Sequence, residues 1–227
     1  MSRRQSEQKA LTQLQRSKRS YQSFIKLNYE HAAKDCDTCP TRGECCTDAH
    51  FVNVQITRLE AVAIRNTLLR SPRLTDSHRR AIYERAREAV QRFNLSATGD
   101  TSTQTYSCPL YEPSVGCLVH RRAKPAPCVQ HACYDNWRDL PPASLQRRTE
   151  HRVERLNTEV YGSEWEWLPI PLWLSLVNPE AEREELERLT ETWRKRPVKS
   201  HSRPDQGSQK TVRGPHRRAS LPVINRS

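Results

Sequence analysis

Apolar residues recur at helical spacing through most of this 227-residue chain. Leu11, Leu14, Tyr21, Phe24, Ile25 and Leu27 share that period, and no Gly or Pro interrupts residues 5–33. The pattern predicts a helix there, directly ahead of Cys36. Val52, Val54 and Ile56 alternate with polar residues, which predicts a short extended segment. Thr57-Arg58-Leu59-Glu60 then has the form of a capping box, in which hydroxyl and carboxylate each take a free backbone N–H. A helix over about 58–70 follows, with Leu59, Val62, Ala63 and Leu69 on its buried side, and Ser71-Pro72 ends it. Thr75 or Asp76 caps the next helix, about 77–94, which packs through Ile82, Ala86, Val90 and Phe93.

The second half alternates between irregular and periodic stretches. Residues 95–107 are polar and Ser/Thr-rich, the composition of a loop. Residues 108–133 carry four prolines, so irregular backbone contributing little to a core is expected. Leu145, Thr149, Val153, Leu156 and Val160 form one stripe of a helix over about 143–160. The Pro-punctuated run Trp165 to Leu174 reads as a packed loop rather than a strand, with Trp165, Trp167 and Trp173 as core residues. Asn178-Pro179 opens a last helix to about Arg196. No periodicity follows Pro197.

Cysteine changes this picture most. Cys36, Cys39, Cys45 and Cys46 form one set; Cys108, Cys117, Cys128 and Cys133 form another. No cysteine lies between residues 47 and 107. Thiolates are soft ligands for zinc and for iron–sulfur clusters, and four complete a tetrahedral zinc site or a [4Fe–4S] cluster. Two sets of four therefore read as the ligands of one or two metal sites, and all eight sulfurs are expected to converge in one cysteine-rich region. His31, His50, His120 and His131 lie near the cysteines in sequence, and His131 is the best placed to add an imidazole ligand.

Composition points the same way. Leu, Ile, Val and Phe total 42 residues, under a fifth of the chain, so a metal would relieve a shortage of apolar burial. Structural zinc supplies roughly 10–16 kcal/mol of apparent binding energy, and in such domains that is folding energy. The N-terminus lacks the apolar stretch of a secretory signal, and no apolar run is long enough to span a bilayer. A cytoplasmic, reducing setting is the expectation, and it favours metal over disulfide. Cys36-Asp-Thr-Cys39 as a dithiol redox pair is the minor reading, since no parallel sheet accompanies it.

The formal charge of +12 is concentrated at the ends. Residues 194–227 carry ten Lys/Arg against Asp205 alone, and residues 1–35 carry eight against three acids. Such ends are suited to weak nonspecific contact with nucleic acid, although a solvated disordered tail is the simpler reading of 197–227. No nucleotide-binding loop, Gly-x-Ser-x-Gly or His-Glu-x-x-His motif occurs.

Taken in order, Cys36-x-x-Cys39, Gly43-x-Cys45-Cys46, Thr57-x-x-Glu60-Ala61, Cys108-Pro-Leu, Gly116-Cys117 and Lys124-Pro125-x-x-Cys128 resemble the CxxCxxCC family of YkgJ-like cysteine-cluster proteins. The resemblance covers about residues 36–133. It implies a zinc- or iron-chelating domain with Cys36, Cys39, Cys45, Cys46, Cys108, Cys117 and Cys128 as ligands and Cys133 as the eighth. The chain departs from the family pattern in five residues between Cys39 and Cys45 where the family has two, in His120 at a Tyr position, and in Lys124 for Arg. Flagellin lysine N-methylases carry a related block, which gives an iron–sulfur-dependent protein-modifying enzyme as one alternative. A zinc-stapled nucleic-acid-binding protein is the other.

The resulting expectation is a mainly α chain: a basic N-terminal helix (1–35), a cysteine-cluster metal-binding domain (36–196) and a disordered basic tail (197–227). Amphipathic helices surround a small, irregular, cysteine-rich core.

Overall fold

The structure, a computed structural model, describes residues 6–35, 38–39, 41–48, 52–98, 100–162 and 167–179. Cys36, His50, Trp165, the tail 197–227 and nearly all of the helix expected over 178–196 lie outside them.

The described chain is mainly helical. Helix α1 (Glu7–Asn28) is followed by a 3-10 turn at Glu30–Ala32 and the single turn α2 (Glu44–Thr47). Strand β1 (Gln55–Ile56) leads into α3 (Arg58–Leu69) and α4 (Asp76–Arg92). Strands β2 (Tyr111–Glu112) and β3 (Gly116–Cys117) form a small hairpin ahead of α5 (Ala126–Gln130). Helix α6 (Ala143–Tyr161), strand β4 (Leu168–Pro169) and α7 (Ile170–Val177) complete the described chain. Strand β4 pairs antiparallel with β1, Gln55 opposite Pro169 and Ile56 opposite Leu168. Among the described residues no helix is long and apolar enough to cross a membrane.

The capping box is present. The Glu60 N–H donates to the Thr57 hydroxyl (3.4 Å), and the Thr57 N–H donates to the Glu60 carboxylate (3.2 Å). Asn157 of α6 adds a second acceptor, taking the Leu59 N–H at 3.0 Å. The free N–H groups of a helix start are thus satisfied inside the protein, where water cannot serve them. Thr75 caps α4 in the same manner, with His78 reaching back.

Prolines account for the main correction to the sequence reading. Trp165–Leu174 was expected to be a packed loop, yet residues 168–177 form β4 and α7. Pro169 ends a strand of two residues and Pro171 sits in the first helical turn, the two places where a missing N–H costs nothing. Helix α7 is apolar except for the half-buried Ser175 because it is packed between α3 and α4. Trp173 is 1% exposed at its centre, and Trp167 is partly buried against α1 and α6.

The core has three parts. The largest gathers Ile56, Ile64, Leu68, Ile82, Tyr106 and Trp173 with their neighbours. A second joins Ala10, Leu14, Leu59, Val153 and Leu156 from α1, α3 and α6. The third joins Tyr21 and Ile25 of α1 to Ala126 and Val129 of α5. Contrary to expectation, the Pro-rich stretch does supply core: Leu110, Val119, Ala123 and Ala126 are buried.

Helix α1 buries Ala10, Leu14, Lys18, Tyr21 and Ile25, a stripe spaced by four, four, three and four. Phe24 and Leu27 fall off it and stand exposed at 43% and 78%. Apolar size suggested those two, but geometry instead buries a small Ala10 and a charged Lys18. Leu69 is displaced likewise, exposed at the end of α3 while Ile64 and Leu68 face inward.

Candidate metal centre

Three short segments are hydrogen-bonded together around the cysteines. The Cys108 N–H donates to the Cys46 carbonyl at 2.8 Å, and the Ser107 hydroxyl donates to the Thr47 carbonyl at 2.6 Å. The Tyr111 hydroxyl donates to the Arg42 carbonyl at 3.2 Å. Segment 42–47 is thereby laid against 107–111. Gly43 makes this approach feasible: its φ is +88°, and a Cβ there would stand 1.8 Å from the Tyr111 hydroxyl oxygen. Only glycine meets both demands. The hairpin holds Cys117 opposite Tyr111, and the Leu118 N–H donates to Leu110 at 3.0 Å.

Helix α1 closes the other side, and it packs on the second cysteine segment. The Lys18 ammonium donates to the Lys124 carbonyl (3.0 Å), the Tyr21 hydroxyl to Gln130 (2.6 Å), and the Gln22 amide to the His120 carbonyl (3.2 Å). Lys18 also pairs with Glu60 at 2.5 Å, with side-chain exposures of 4% and 1%. One buried cation therefore ties α1, α3 and the turn before α5 together.

The thiols interact across the two sequence sets. Cys46 lies within electrostatic reach of Cys45, Cys108 and Cys128. Cys108 in turn senses Cys128 and Cys117, and Cys128 senses Cys117. Cys39 and Cys133 act instead on Lys34, whose N–H donates to the Cys133 carbonyl at 2.7 Å. The grouping in space thus differs from the grouping in sequence. Cys46 of the first set acts on Cys108 and Cys128 of the second, to which Cys117 is linked in turn, while Cys39 and Cys133 have Lys34 in common. All seven described cysteines are free thiols.

Ionisation follows this packing. Burial pushes the Cys108 thiol well up and takes Cys128 up to about 12, and neighbouring sulfurs push further. Burial also raises Cys117. Cys46 rises because it donates its proton to Cys45, with burial and nearby sulfurs adding to the effect. Cys45 drops to about 4, held as thiolate first by Cys46 and then by His131. Backbone N–H groups two residues on favour the thiolates of Cys108 and Cys117, from Leu110 and Val119 respectively. Arg85 helps Cys108, and Lys124 helps Cys117 and Cys128. N–H donors aimed at sulfur, with cations beyond, are the surroundings that a coordinating thiolate needs.

Among the described residues, no three His, Cys, Asp or Glu side chains are grouped so as to hold a metal ion. His131 is the histidine that reaches a cysteine, at the end of α5 beside Cys45. His120 and His31 are exposed. Sequence reasoning missed Lys18, Arg85 and Lys34. Lys18 did leave a signal, since a charged residue stands on the helical stripe between Leu14 and Tyr21.

No known protein family, curated protein or solved structure matches this chain.

Proposed function

We propose that this chain is a metal-binding protein in which Cys46, Cys108, Cys117 and Cys128 take zinc or an iron–sulfur cluster, with Cys45 and His131 at its edge. The observation that carries the reading is the electrostatic linkage of four half-buried thiols, Cys46, Cys108, Cys117 and Cys128, from three segments far apart in sequence. Thiols packed this way resist ionising because each new thiolate repels the others in a poorly solvated recess. A thiophilic cation supplies the missing charge, and coordination then displaces the protons. Backbone N–H groups at two of the four sulfurs support the same state. Zinc would serve as a structural cross-link between the three segments; an iron–sulfur cluster would add an electron-transfer centre.

Cys36, Cys39 and Cys133 are the remaining ligands that the sequence resemblance implies, and they are assigned to no ion here. The test is anaerobic purification of the full chain, followed by elemental analysis and a visible spectrum. Stoichiometric iron and sulfide in a brown protein identifies a cluster; one or two zinc ions in a colourless protein identifies zinc. Substituting Cys108 and Cys128 by Ser together is expected to abolish retention of either. Protein that carries no metal under these conditions, and takes up neither zinc nor iron with sulfide, would overturn the proposal.

A further inference from the structure

A recess of about 110 Å³ opens between α1 and α3, with Lys18 and no cysteine among its lining residues. Its polar walls come from three places. Gln8, Gln15 and Lys18 lie on one face of α1, Asn66 lies on α3 with Arg70 just past its last residue, and Arg122 arrives from the turn ahead of Lys124. No acidic residue lines it.

The charges there are unequal in role. Lys18 at the floor is spent, its ammonium shared between Glu60 and the Lys124 carbonyl. Arg70 and Arg122 are exposed, and among the described residues neither has a carboxylate partner. Two arginines from segments distant in sequence thus line one concave surface that has no acidic residue in its walls. Such an arrangement raises the local potential and favours an anion. Guanidinium offers a planar fork of donors matched to the oxygens of phosphate or carboxylate. Three side-chain amides add donors that can turn toward the same oxygens. The volume suits a group displacing several waters rather than a nucleotide or peptide.

The geometry points to this recess as a binding site for a small oxyanion, with Arg70 and Arg122 as its charged contacts and Gln8, Gln15 and Asn66 as hydrogen-bonding walls. The site is separate from the thiols and is independent of the metal reading. Its occupant neutralises the two arginines and bridges α1 to α3 above the Lys18–Glu60 pair.

Inorganic phosphate is the probe. Calorimetric titration of the full chain at low ionic strength is expected to give one saturable site. Arg70→Gln with Arg122→Gln should weaken it at least about tenfold, the scale of losing charge-assisted hydrogen bonds. Arg148→Gln, an exposed arginine on α6, should leave it unchanged. Both arginines are exposed, so far-UV circular dichroism should match the parent chain. Acetate in competition separates the sources: displacement at similar concentration marks a carboxylate site, and failure to displace marks a phosphate site. Absence of saturable phosphate binding overturns the inference. So does binding that survives in the double variant, which would place the anion on the basic ends.

Discussion

Removing Lys18 tests whether one buried ion pair holds α1 against the rest of the fold. Its ammonium is 2.5 Å from Glu60, and the two side chains are 4% and 1% exposed. Lys18→Met keeps the length and apolar stem but strands a buried carboxylate. It also removes the donor to the Lys124 carbonyl. Breaking one side of a buried pair typically costs about 3–5 kcal/mol, much of it the desolvation of the charge left behind. Glu60→Gln keeps an acceptor for the Thr57 cap and strands Lys18 instead, so a cost of about 3 kcal/mol is expected. The double variant removes both charges, so its cost should fall short of the sum of the singles by about 2–3 kcal/mol. Urea denaturation followed by far-UV circular dichroism reads this directly. With a slope of roughly 2 kcal/mol per molar, a 3 kcal/mol loss moves the midpoint by about 1.5 M. Reductant and chelator should be present, because bound metal would add its own linkage. Additive single effects, or a Lys18→Met cost below about 1 kcal/mol, would refute the reasoning and leave Lys18 a bystander.

Four further outcomes are expected. Gly43→Ala places a Cβ on the Tyr111 ring and forces L-alanine into φ +88°, a backbone term of about 1 kcal/mol before any clash. Cys108 should then react faster with a thiol reagent as segment 42–47 lifts away, and unchanged reactivity counts against that docking. In metal-free protein at pH 6, iodoacetamide should label Cys45 well ahead of Cys46, Cys108 and Cys128, read by peptide mass spectrometry. The first is a thiolate down to about pH 4 and the others remain protonated. The linkage signs are opposite: the raised thiols contribute stability that is lost as pH climbs from about 9 toward about 12, whereas the Cys45 contribution, present above pH 9, is lost as pH falls through about 4. Apo-protein melts should therefore fall on the alkaline side, and a flat profile from pH 9 to 11 would contradict the burial of Cys108 and Cys128. Tyr106→Phe removes a hydroxyl that donates to the Val54 carbonyl and accepts the Ile170 N–H (3.2 Å), leaving those two groups only their long bond to each other (3.4 Å). A loss of about 1 kcal/mol is expected by denaturation, and a neutral result would mean that the direct bond makes up for the hydroxyl.

Local chemistry made several elements legible in the sequence alone. The Thr57–Glu60 box, the Thr75 cap and the periodicity of α1, α3, α4 and α6 depend on residues within a turn or two of one another, so the chain states them directly. The eight cysteines likewise declare a thiol-rich region wherever they end up. The elements misjudged were those whose neighbours are far away. Residues 168–177 take strand and helix because β1 offers a pairing edge and α3 and α4 offer a cavity for an apolar helix, and neither can be seen from the Pro-rich run itself.

The same distinction holds at the thiols. Sequence determined which residue types are present, soft donors with cations nearby. Only tertiary structure decided the partition, pairing Cys46 with sulfurs more than sixty positions away and leaving Cys39 and Cys133 beside Lys34. It also decided that Lys18 and Glu60 meet indoors. The physical reason is that covalent proximity fixes hydrogen bonds within a turn, whereas contacts between distant segments are selected by the packing of the whole core, which no local pattern encodes.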